Sequence, residues 1–189
     1  MFPKIFSWGD FFLPTYGVLV AIGFLAALAI ATRLAKRYGL PTDTISSLGV
    51  NSAIIGLFGA KILFILLDPN LWSLSRIFSV ETLQSGGVFF GGLISALIFA
   101  AWYIRRHQLP VLSTLDSFGP GIALGHAIGR LGCFAAGCCW GASCDRPWAV
   151  TFTNPDSHDL VGVPLHAPLH PTQLYESIAQ FAAFIVLYR

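Results

Sequence analysis

An arginine, a histidine and three cysteines lie together in a glycine-rich apolar stretch, residues 125–141 of the 189-residue chain. Arg130 is the hardest of these to explain by packing, because a charge at membrane depth costs about 3 kcal/mol on insertion scales and usually marks a site. His126 lies one helical turn earlier on the same face, although a lone histidine inside a membrane is more often a packing residue. A guanidinium binds phosphate through two hydrogen bonds, so the stretch predicts a site for an anionic phosphate.

Five further polar residues are predicted to lie at a depth similar to that of Arg130, toward the outer face of the membrane. Lys61 lies six residues before the outer end of the second predicted membrane span, Ser47–Leu67, which is about 9 Å of helix. The others begin the first or the fifth span at that face: Tyr16, Gln173, Tyr175 and Glu176. We expect these side chains to form a phosphate pocket beside Arg130.

Simpler roles stay open for these residues. Lys61 is close enough to the interface to extend its amine to water and serve only as an anchor. Tyr16 and Tyr175 fit the aromatic belt that membrane proteins place at both interfaces. Glu176 fits a local cap or ion pair, and Arg130 fits a buried pair with an acid or with helix carbonyls.

Four cysteines lie within twelve residues, at the end of the fourth predicted span and in the loop after it: Cys133, Cys138, Cys139 and Cys144. Their spacing, C-x4-C-C-x4-C, lacks the C-x2-C pairs of common zinc sites and the C-x-x-C motif of redox proteins. We therefore expect neither a metal nor a cofactor. An outer compartment permits disulfides, so one disulfide involving Cys144 is a hypothesis, whereas the adjacent Cys138 and Cys139 are not expected to pair.

The composition is that of an integral membrane protein. Of the residues, 55% are hydrophobic and 11% are charged, and the mean hydropathy is +0.71. Soluble domains carry about 25% charged residues. A net charge of +2 says little about partners, and no basic tract indicates a nucleic-acid partner. The apolar composition makes the lipid bilayer the expected environment.

Five apolar segments approach or reach the length of about 20 residues that crosses a bilayer. They are Thr15–Thr32, Ser47–Leu67, Ser85–Ile104, Ser117–Ala136 and Thr172–Tyr188. Because consecutive spans cross in opposite directions, the ends of the first, third and fifth spans lie on the same side. The basic residues that follow these ends are Arg33, Lys36, Arg37, Arg105, Arg106 and Arg189. Because basic loops stay in the cytoplasm, we place the N-terminus outside. We see no cleavable signal peptide or long linker, so residues 1–189 are predicted to form a single all-α polytopic transmembrane helix bundle.

The longer outer loop, residues 140–171, is predicted to form a small periplasmic subdomain. Its segment 148–153 alternates in polarity and is β-branched, which predicts a short strand. Four prolines argue against a helix in this loop: Pro155, Pro164, Pro168 and Pro171.

Glycines recur at every fourth position in the middle of the fourth span. Gly121, Gly125 and Gly129 have the small-xxx-small spacing that lets helix backbones approach closely. Packing is their expected main role, and it also leaves room for a lipid or peptide beside Arg130.

Four segments, in chain order, resemble the prolipoprotein diacylglyceryl transferase family. Residues 129–141 read Gly-Arg-Leu-Gly-Cys-Phe-Ala-Ala-Gly-Cys-Cys-Trp-Gly and are similar to the family signature. The others are Tyr16-Gly17, Ser-Gly-Gly-Val-Phe-Phe-Gly-Gly-Leu-Ile at 85–94, and His-Pro-Thr-Gln-Leu-Tyr-Glu at 170–176. Together the four segments extend over nearly the whole chain, which makes the resemblance specific.

The resemblance implies a multi-pass enzyme of the bacterial cytoplasmic (inner) membrane, with its site near the outer leaflet. Its implied partners are phosphatidylglycerol and a prolipoprotein signal peptide with a lipobox cysteine. The implied reaction transfers diacylglyceryl from the lipid to that cysteine, so a thioether forms and glycerol phosphate leaves. The substrate supplies the thiol, so the enzyme has to bind the phosphate, stabilise its departing charge and help to deprotonate the thiol.

The resemblance also implies roles for individual residues. The family's essential residues that match here are Tyr16, Arg130 and Gly141. Lys61 stands where members usually have arginine, so the charge is kept but the planar fork is not. His170 and Glu176 are candidates for the catalytic base by their chemistry. The remaining residues that we predict to bind substrate are His126, Gly91, Gly92, Gln173 and Tyr175.

Several positions depart from the family pattern. Phe90 stands in place of a histidine, Cys133 in place of an asparagine, and Cys138 in place of a glutamate. The sequence given ends at Arg189, where the family continues with further helices and a Tyr-x-x-x-Arg, so we expect either a truncated member or a pocket lacking one wall and one cation. Two alternatives stay open: a relative that binds an anionic phospholipid with a changed acceptor or reaction, and a cysteine-based membrane redox or metal-binding protein.

Overall fold

The computed structural model describes residues 2–8, 11–73, 77, 82 and 87–189. Helices dominate this part of the chain: α1 Thr15–Arg37, α2 Thr42–Leu67, α3 Phe89–Arg106, α4 Val111–Ala136, α5 Pro155–Val161 and α6 Thr172–Tyr188. Short strands form two antiparallel pairs, β1 Lys4–Trp8 with β2 Phe11–Pro14 and β3 Val150–Thr151 with β4 Pro168–Leu169. One 3-10 turn, Pro69–Leu71, follows α2.

Three of the described helices, α1, α2 and α3, are long and apolar enough to cross a membrane. The prediction of an all-α membrane helix bundle is thereby confirmed. Helices α4 and α6 occupy the fourth and fifth predicted spans. That both cross the bilayer, that the spans number five and that the N-terminus lies outside stay predictions. The third predicted span was placed from Ser85, and residues 85–86 lie outside the described part of the chain.

The chain forms two compact units, Met1–Leu34 with Asp116–Arg189, and Ala35–Leu115. In the first unit, α1 and α4 approach each other at backbone distance. A Cβ atom added to Gly121 would lie 2.5 Å from the Ala27 carbonyl oxygen, and one added to Gly125 would lie 3.0 Å from the Gly23 oxygen. The predicted close packing is therefore confirmed at Gly121 and Gly125, whereas a Cβ at Gly129 would contact no described atom within 4 Å.

In the second unit, α2 and α3 pack through glycines on both helices. A Cβ added to Gly91 would lie 2.5 Å from the Gly59 oxygen, and one added to Gly92 would lie 2.9 Å from the Gly56 oxygen. The Ser95 hydroxyl of α3 donates to the Ile55 carbonyl of α2 at 3.2 Å and so adds a polar contact to this seam. Small residues are what permits such an approach where the hydrophobic effect does not drive helices together.

The small subdomain (residues 140–171) is built on β3, β4 and α5, with a core of Phe152, Val163 and Leu169. The expected strand over 148–153 is present as β3, at 150–151 only.

The expectation that prolines exclude a helix from this loop is wrong. Pro155 is the first residue of α5, where the N–H that proline lacks would have no helical partner. The Asn154 side chain caps the helix by accepting a hydrogen bond from the Asp156 amide at 2.9 Å.

Candidate functional site

Arg130 and Glu176 pair across α4 and α6. The Arg130 Nη2 atom donates to the Glu176 Oε1 atom at 2.6 Å, and the two side chains are 15% and 49% exposed. Of the roles left open for Arg130, a pair with an acid is therefore the observed one. The Arg130 Nε–H is buried and has no hydrogen-bond partner among the described residues. An unpaired buried donor costs about 1–3 kcal/mol, so this edge of the guanidinium is suited to an incoming acceptor.

A Schellman motif ends α4 directly after this arginine-bearing turn. The Cys138 amide donates to the Cys133 carbonyl at 3.1 Å and the Gly137 amide donates to the Phe134 carbonyl at 3.3 Å. Gly137 has a φ of +84°, the left-handed conformation that such a cap requires. The chain therefore reverses within two residues and folds Cys138 back over the last turn of α4.

The reversal brings three thiols together. The sulfur atoms of Cys133, Cys138 and Cys139 all lie within 4.8 Å of one another. Arg130 faces the same group, with 3.8 Å between its Nη1 atom and the Cys133 sulfur. A hydrogen bond to the Cys133 sulfur raises the pKa of the Cys138 thiol well above its usual range, and burial adds to the effect.

The cysteine cluster (Cys133, Cys138 and Cys139) is the feature that the sequence spacing did not reveal. C-x4-C-C resembles no common ligand pattern, and only the left-handed cap converts that spacing into proximity. A glycine directly before the second cysteine was the one available signal. All four cysteines are free thiols, so the hypothesis of a disulfide involving Cys144 is wrong for this structure. The Cys144 amide instead pairs with Pro168, in the core of the small subdomain.

The N-terminus of α6 holds the cysteine turn in place. The Gln173 Nε2 atom donates to the Cys138 carbonyl at 2.6 Å, and the Thr172 hydroxyl donates to the Cys139 carbonyl at 2.7 Å. Gln173 is fully buried. Its contacts are those of a residue that positions the turn, and its predicted contact with substrate stays a prediction.

Gly141 and His170 hold the next stretch of chain against α6. The Gly141 amide donates to the His170 carbonyl at 3.0 Å. A Cβ on Gly141 would lie 2.8 Å from the His170 Cβ atom and 2.8 Å from the Thr172 Cγ2 atom. Glycine is therefore required here for close approach of two backbone segments, and this accounts for Gly141 independently of substrate binding.

Tyr16 joins the same neighbourhood from the start of α1. Its ring packs against Gly132, where an added Cβ would lie 3.3 Å from the Tyr16 Cδ2 atom. Tyr16 interacts electrostatically with Arg130 and with the cysteine cluster. The side chain is 44% exposed, so it can meet a ligand as well as these residues.

Two further predicted site residues pair with each other. The His170 Nδ1 atom and the Tyr175 hydroxyl are 3.0 Å apart. His126 is exposed on α4. In the first unit, Tyr16 of α1 and Glu176 of α6 thus interact with Arg130 of α4. The His170–Tyr175 pair lies on the chain leading into α6 and on its first turn. That these residues share one substrate pocket stays a prediction.

Lys61, Gly91 and Gly92 belong to the second unit. The Lys61 amine donates to the Thr82 carbonyl at 2.6 Å and lies 5.8 Å from the centre of the Phe64 ring. The two glycines form the seam between α2 and α3. Their substrate-binding roles stay predictions. Phe90, which stands in place of the expected histidine, is exposed next to this seam.

Comparison with known proteins identifies the family. The family model described as prolipoprotein diacylglyceryl transferase matches residues 3–189. The chain belongs to this family. Its similarity to the phosphatidylglycerol–prolipoprotein diacylglyceryl transferase of Clostridium tetani is 34% identity over 190 residues, which cover the whole chain and 74% of that relative.

Two further relatives with the same name show how much of a diacylglyceryl transferase this chain covers. The Finegoldia magna protein is 30% identical over 91% of the chain and 64% of its own length. The Vibrio cholerae protein is 34% identical over 92% of the chain and 62% of its own length. The chain thus spans less than two thirds of the length of both. The resemblance drawn from the four ordered motifs is confirmed.

Proposed function

We propose that the protein transfers a diacylglyceryl group from phosphatidylglycerol to the lipobox cysteine of a prolipoprotein, in the bacterial cytoplasmic (inner) membrane. The family match over residues 3–189 and the names of the relatives support this reaction. One observation carries the chemical case. Arg130 is a mostly buried cation whose Nε–H has no partner among the described residues.

The reaction requires a charge to be stabilised as it develops. The acceptor sulfur attacks the carbon of the diacylglyceryl group that is bonded to the phosphate oxygen. A C–S bond forms while that C–O bond breaks. The electron pair of that bond leaves with glycerol phosphate, and the thiol proton is released. A fixed guanidinium beside the leaving phosphate stabilises the added charge without reorganising, which is the largest single contribution in many enzymes.

Arg130 has enough donors to serve Glu176 and a phosphate together. A guanidinium carries five N–H donors in one plane. The contact with Glu176 uses Nη2, and the contact with the Cys133 sulfur is a weak one at 3.8 Å. Nε and the Nη1 side are therefore proposed to take the phosphate, while Glu176 fixes the orientation of the side chain.

Tyr16 and the pair of His170 with Tyr175 are proposed to complete the site. Tyr16 is 44% exposed, and its hydroxyl is proposed to donate to the lipid headgroup beside Arg130. His170 is hydrogen-bonded to Tyr175, which orients its ring and suits it to accept a proton.

The membrane placement is part of the proposal. Five spans with the N-terminus outside would bring Arg130 toward the outer leaflet, because all six flanking basic residues would then lie in the cytoplasm. Reporter fusions after Tyr38 and after Arg146 test it. A phosphatase that is active only in the periplasm should be active only in the second fusion. Activity in the first fusion would show that the orientation is opposite to the proposed one.

The decisive experiment is lipid transfer by the chain in nanodiscs containing phosphatidylglycerol. A lipobox peptide is added and its mass is followed. The peptide should gain one diacylglyceryl group with the unmodified chain and not with Arg130→Gln. Arg146→Gln, in an exposed loop, is the matched control and should behave like the unmodified chain. No mass gain on a folded, inserted chain would reject the reaction.

A second reading is favoured by Phe90, Cys133 and Cys138, which depart from the family signature. In this reading the protein binds the same anionic lipid and uses a different acceptor. It predicts that phosphatidylglycerol is consumed only when an acceptor other than the lipobox peptide is present. Release of glycerol phosphate, measured with the peptide and with a membrane extract, separates the two readings.

A further inference from the structure

We propose that Cys133, Cys138 and Cys139 form a three-thiolate site for a zinc ion, and that the open fourth position of the ion binds the thiol of the acceptor cysteine. The metal site stands on its own geometry. The assignment of the fourth ligand rests on the proposed function. The cysteine spacing favours no metal and leaves a metal-binding protein only as an alternative, so the inference comes from the arrangement of the sulfur atoms.

The spacing of the sulfur atoms fits one ion. Zinc–sulfur bonds of about 2.3 Å at tetrahedral angles place the sulfurs about 3.8 Å apart. In the structure all three sulfur atoms lie within 4.8 Å of one another. The sulfur atoms therefore have to approach one another by at most about 1 Å to reach the spacing of a zinc site.

The number and type of ligands favour zinc with an open position. Thiolates select soft or borderline metals over magnesium and calcium. Structural zinc sites are closed by four protein ligands, whereas catalytic sites have three and leave the fourth position to water or substrate. Among the described residues, the group with ligand atoms this close contains the three cysteines and no fourth member.

The surrounding contacts orient the ligands. Gln173 and Thr172 bind the carbonyls of Cys138 and Cys139 and so fix the turn that carries two of the thiols. Arg130 Nη1 points at the Cys133 sulfur. A zinc ion with three thiolates carries one net negative charge, which this guanidinium partly offsets. Such outer contacts are a regular part of metal sites.

The three thiols of the cluster differ in exposure. Cys133 is buried, Cys138 is half-buried and Cys139 is exposed. A fourth ligand can therefore reach the ion beside Cys139, the member of the cluster that is exposed.

Coordination to zinc would explain how the acceptor thiol loses its proton. A thiol bound to zinc loses its proton outright, here to water, so with zinc bound His170 does not have to act as the base in this step. The bound sulfur keeps an electron pair, with which it attacks the phosphate-bearing carbon of the lipid. The C–S bond forms, the C–O bond breaks with its electron pair on the leaving phosphate, and the neutral thioether is released because it is a poor zinc ligand.

The metal site is tested by zinc content and by cobalt substitution in the whole chain. We expect one zinc per chain by mass spectrometry, and with Co²⁺ an absorption band from thiolate-to-metal charge transfer. Both should persist in Cys144→Ser, the matched control. Both should be lost in the variant in which the cluster is replaced by serine. Equal binding by that variant, or binding of Cu⁺ alone, overturns the zinc site.

A single substitution tests the ligand set in a variant that is expected to stay folded. Cys139 is exposed, so Cys139→Ser should leave thermal unfolding unchanged while weakening zinc affinity by at least about 10-fold. Unchanged affinity in this folded variant would remove Cys139 from the ligand set and overturn the three-thiolate site.

The fourth position is tested by a peptide titration of the cobalt-loaded chain. A lipobox peptide should change the charge-transfer band, and the same peptide with serine for cysteine should not. Identical spectra with both peptides overturn the assignment of the acceptor. The readout needs no turnover, so a spectral response without lipid transfer would reject the proposed function and leave the inference standing.

Discussion

Arg130 on α4 and Glu176 on α6 form a 2.6 Å ion pair in which the arginine is mostly buried and the glutamate is half-exposed. The asymmetry matters for function. The half-exposed carboxylate can be reached by water, whereas the guanidinium is mostly enclosed, with its Nη1 atom 3.8 Å from the Cys133 sulfur. The pair thus joins two helices and keeps a charged donor in a fixed orientation.

Arg130→Lys should keep the charge and lose the planar fork. A lysine amine cannot supply the Nε–H edge that is unpaired in the structure. We expect a fall of about 10²–10³ in kcat/KM for peptide lipidation, the size seen when one fixed donor to a developing charge is removed. The peptide mass assay measures it, with Arg146→Lys as the control; a fall of less than about twofold would contradict the role.

Glu176→Gln should show whether Glu176 orients Arg130 or acts as the catalytic base. The amide keeps the shape of the carboxylate and a hydrogen-bond acceptor for the arginine, so we expect a smaller fall in kcat/KM than for Arg130→Lys. If Glu176 were the base, the variant should instead lose as much activity as Arg130→Lys, and its pH–rate profile should lose the acidic limb. The pH profile of the two variants therefore decides between the roles.

Gly141→Ala should destabilise the chain. The added methyl would lie 2.8 Å from atoms of His170 and Thr172, closer than carbon atoms pack, so backbone segments have to separate. Overpacking of this kind costs about 1–3 kcal/mol. Thermal unfolding in detergent measures the loss. Gly119→Ala on α4 is the matched control, because its methyl would contact no described atom within 4 Å.

Gly91→Ala distinguishes helix packing from substrate binding. The added methyl would lie 2.5 Å from the Gly59 carbonyl oxygen in the seam between α2 and α3. We expect a lower unfolding temperature, with activity lost in proportion to the unfolded fraction. A raised KM for phosphatidylglycerol at an unchanged unfolding temperature would instead support the predicted substrate contact.

The helices could be predicted from the sequence because a bilayer demands long apolar segments, and α1, α2 and α3 follow that rule. The site could be predicted only in part. Arg130 stands out because its charge has no place in an apolar stretch. The proximity of Cys133 to Cys138 depends on one left-handed glycine, and the helix at Pro155 depends on a cap by Asn154. Such local conformations are decided by single residues rather than by periodic patterns.

Gln173→Leu should weaken the cysteine cluster from a distance. The side chain is fully buried and donates to the Cys138 carbonyl at 2.6 Å. Leucine fills similar space but leaves that carbonyl without its donor, a loss of about 1–3 kcal/mol in a buried site. We expect a lower unfolding temperature together with weaker zinc binding, because the turn carrying Cys138 and Cys139 loses its support. Gln180→Leu on the same helix is the matched control, and equal effects of the two would show that Gln173 has no special part in positioning the turn.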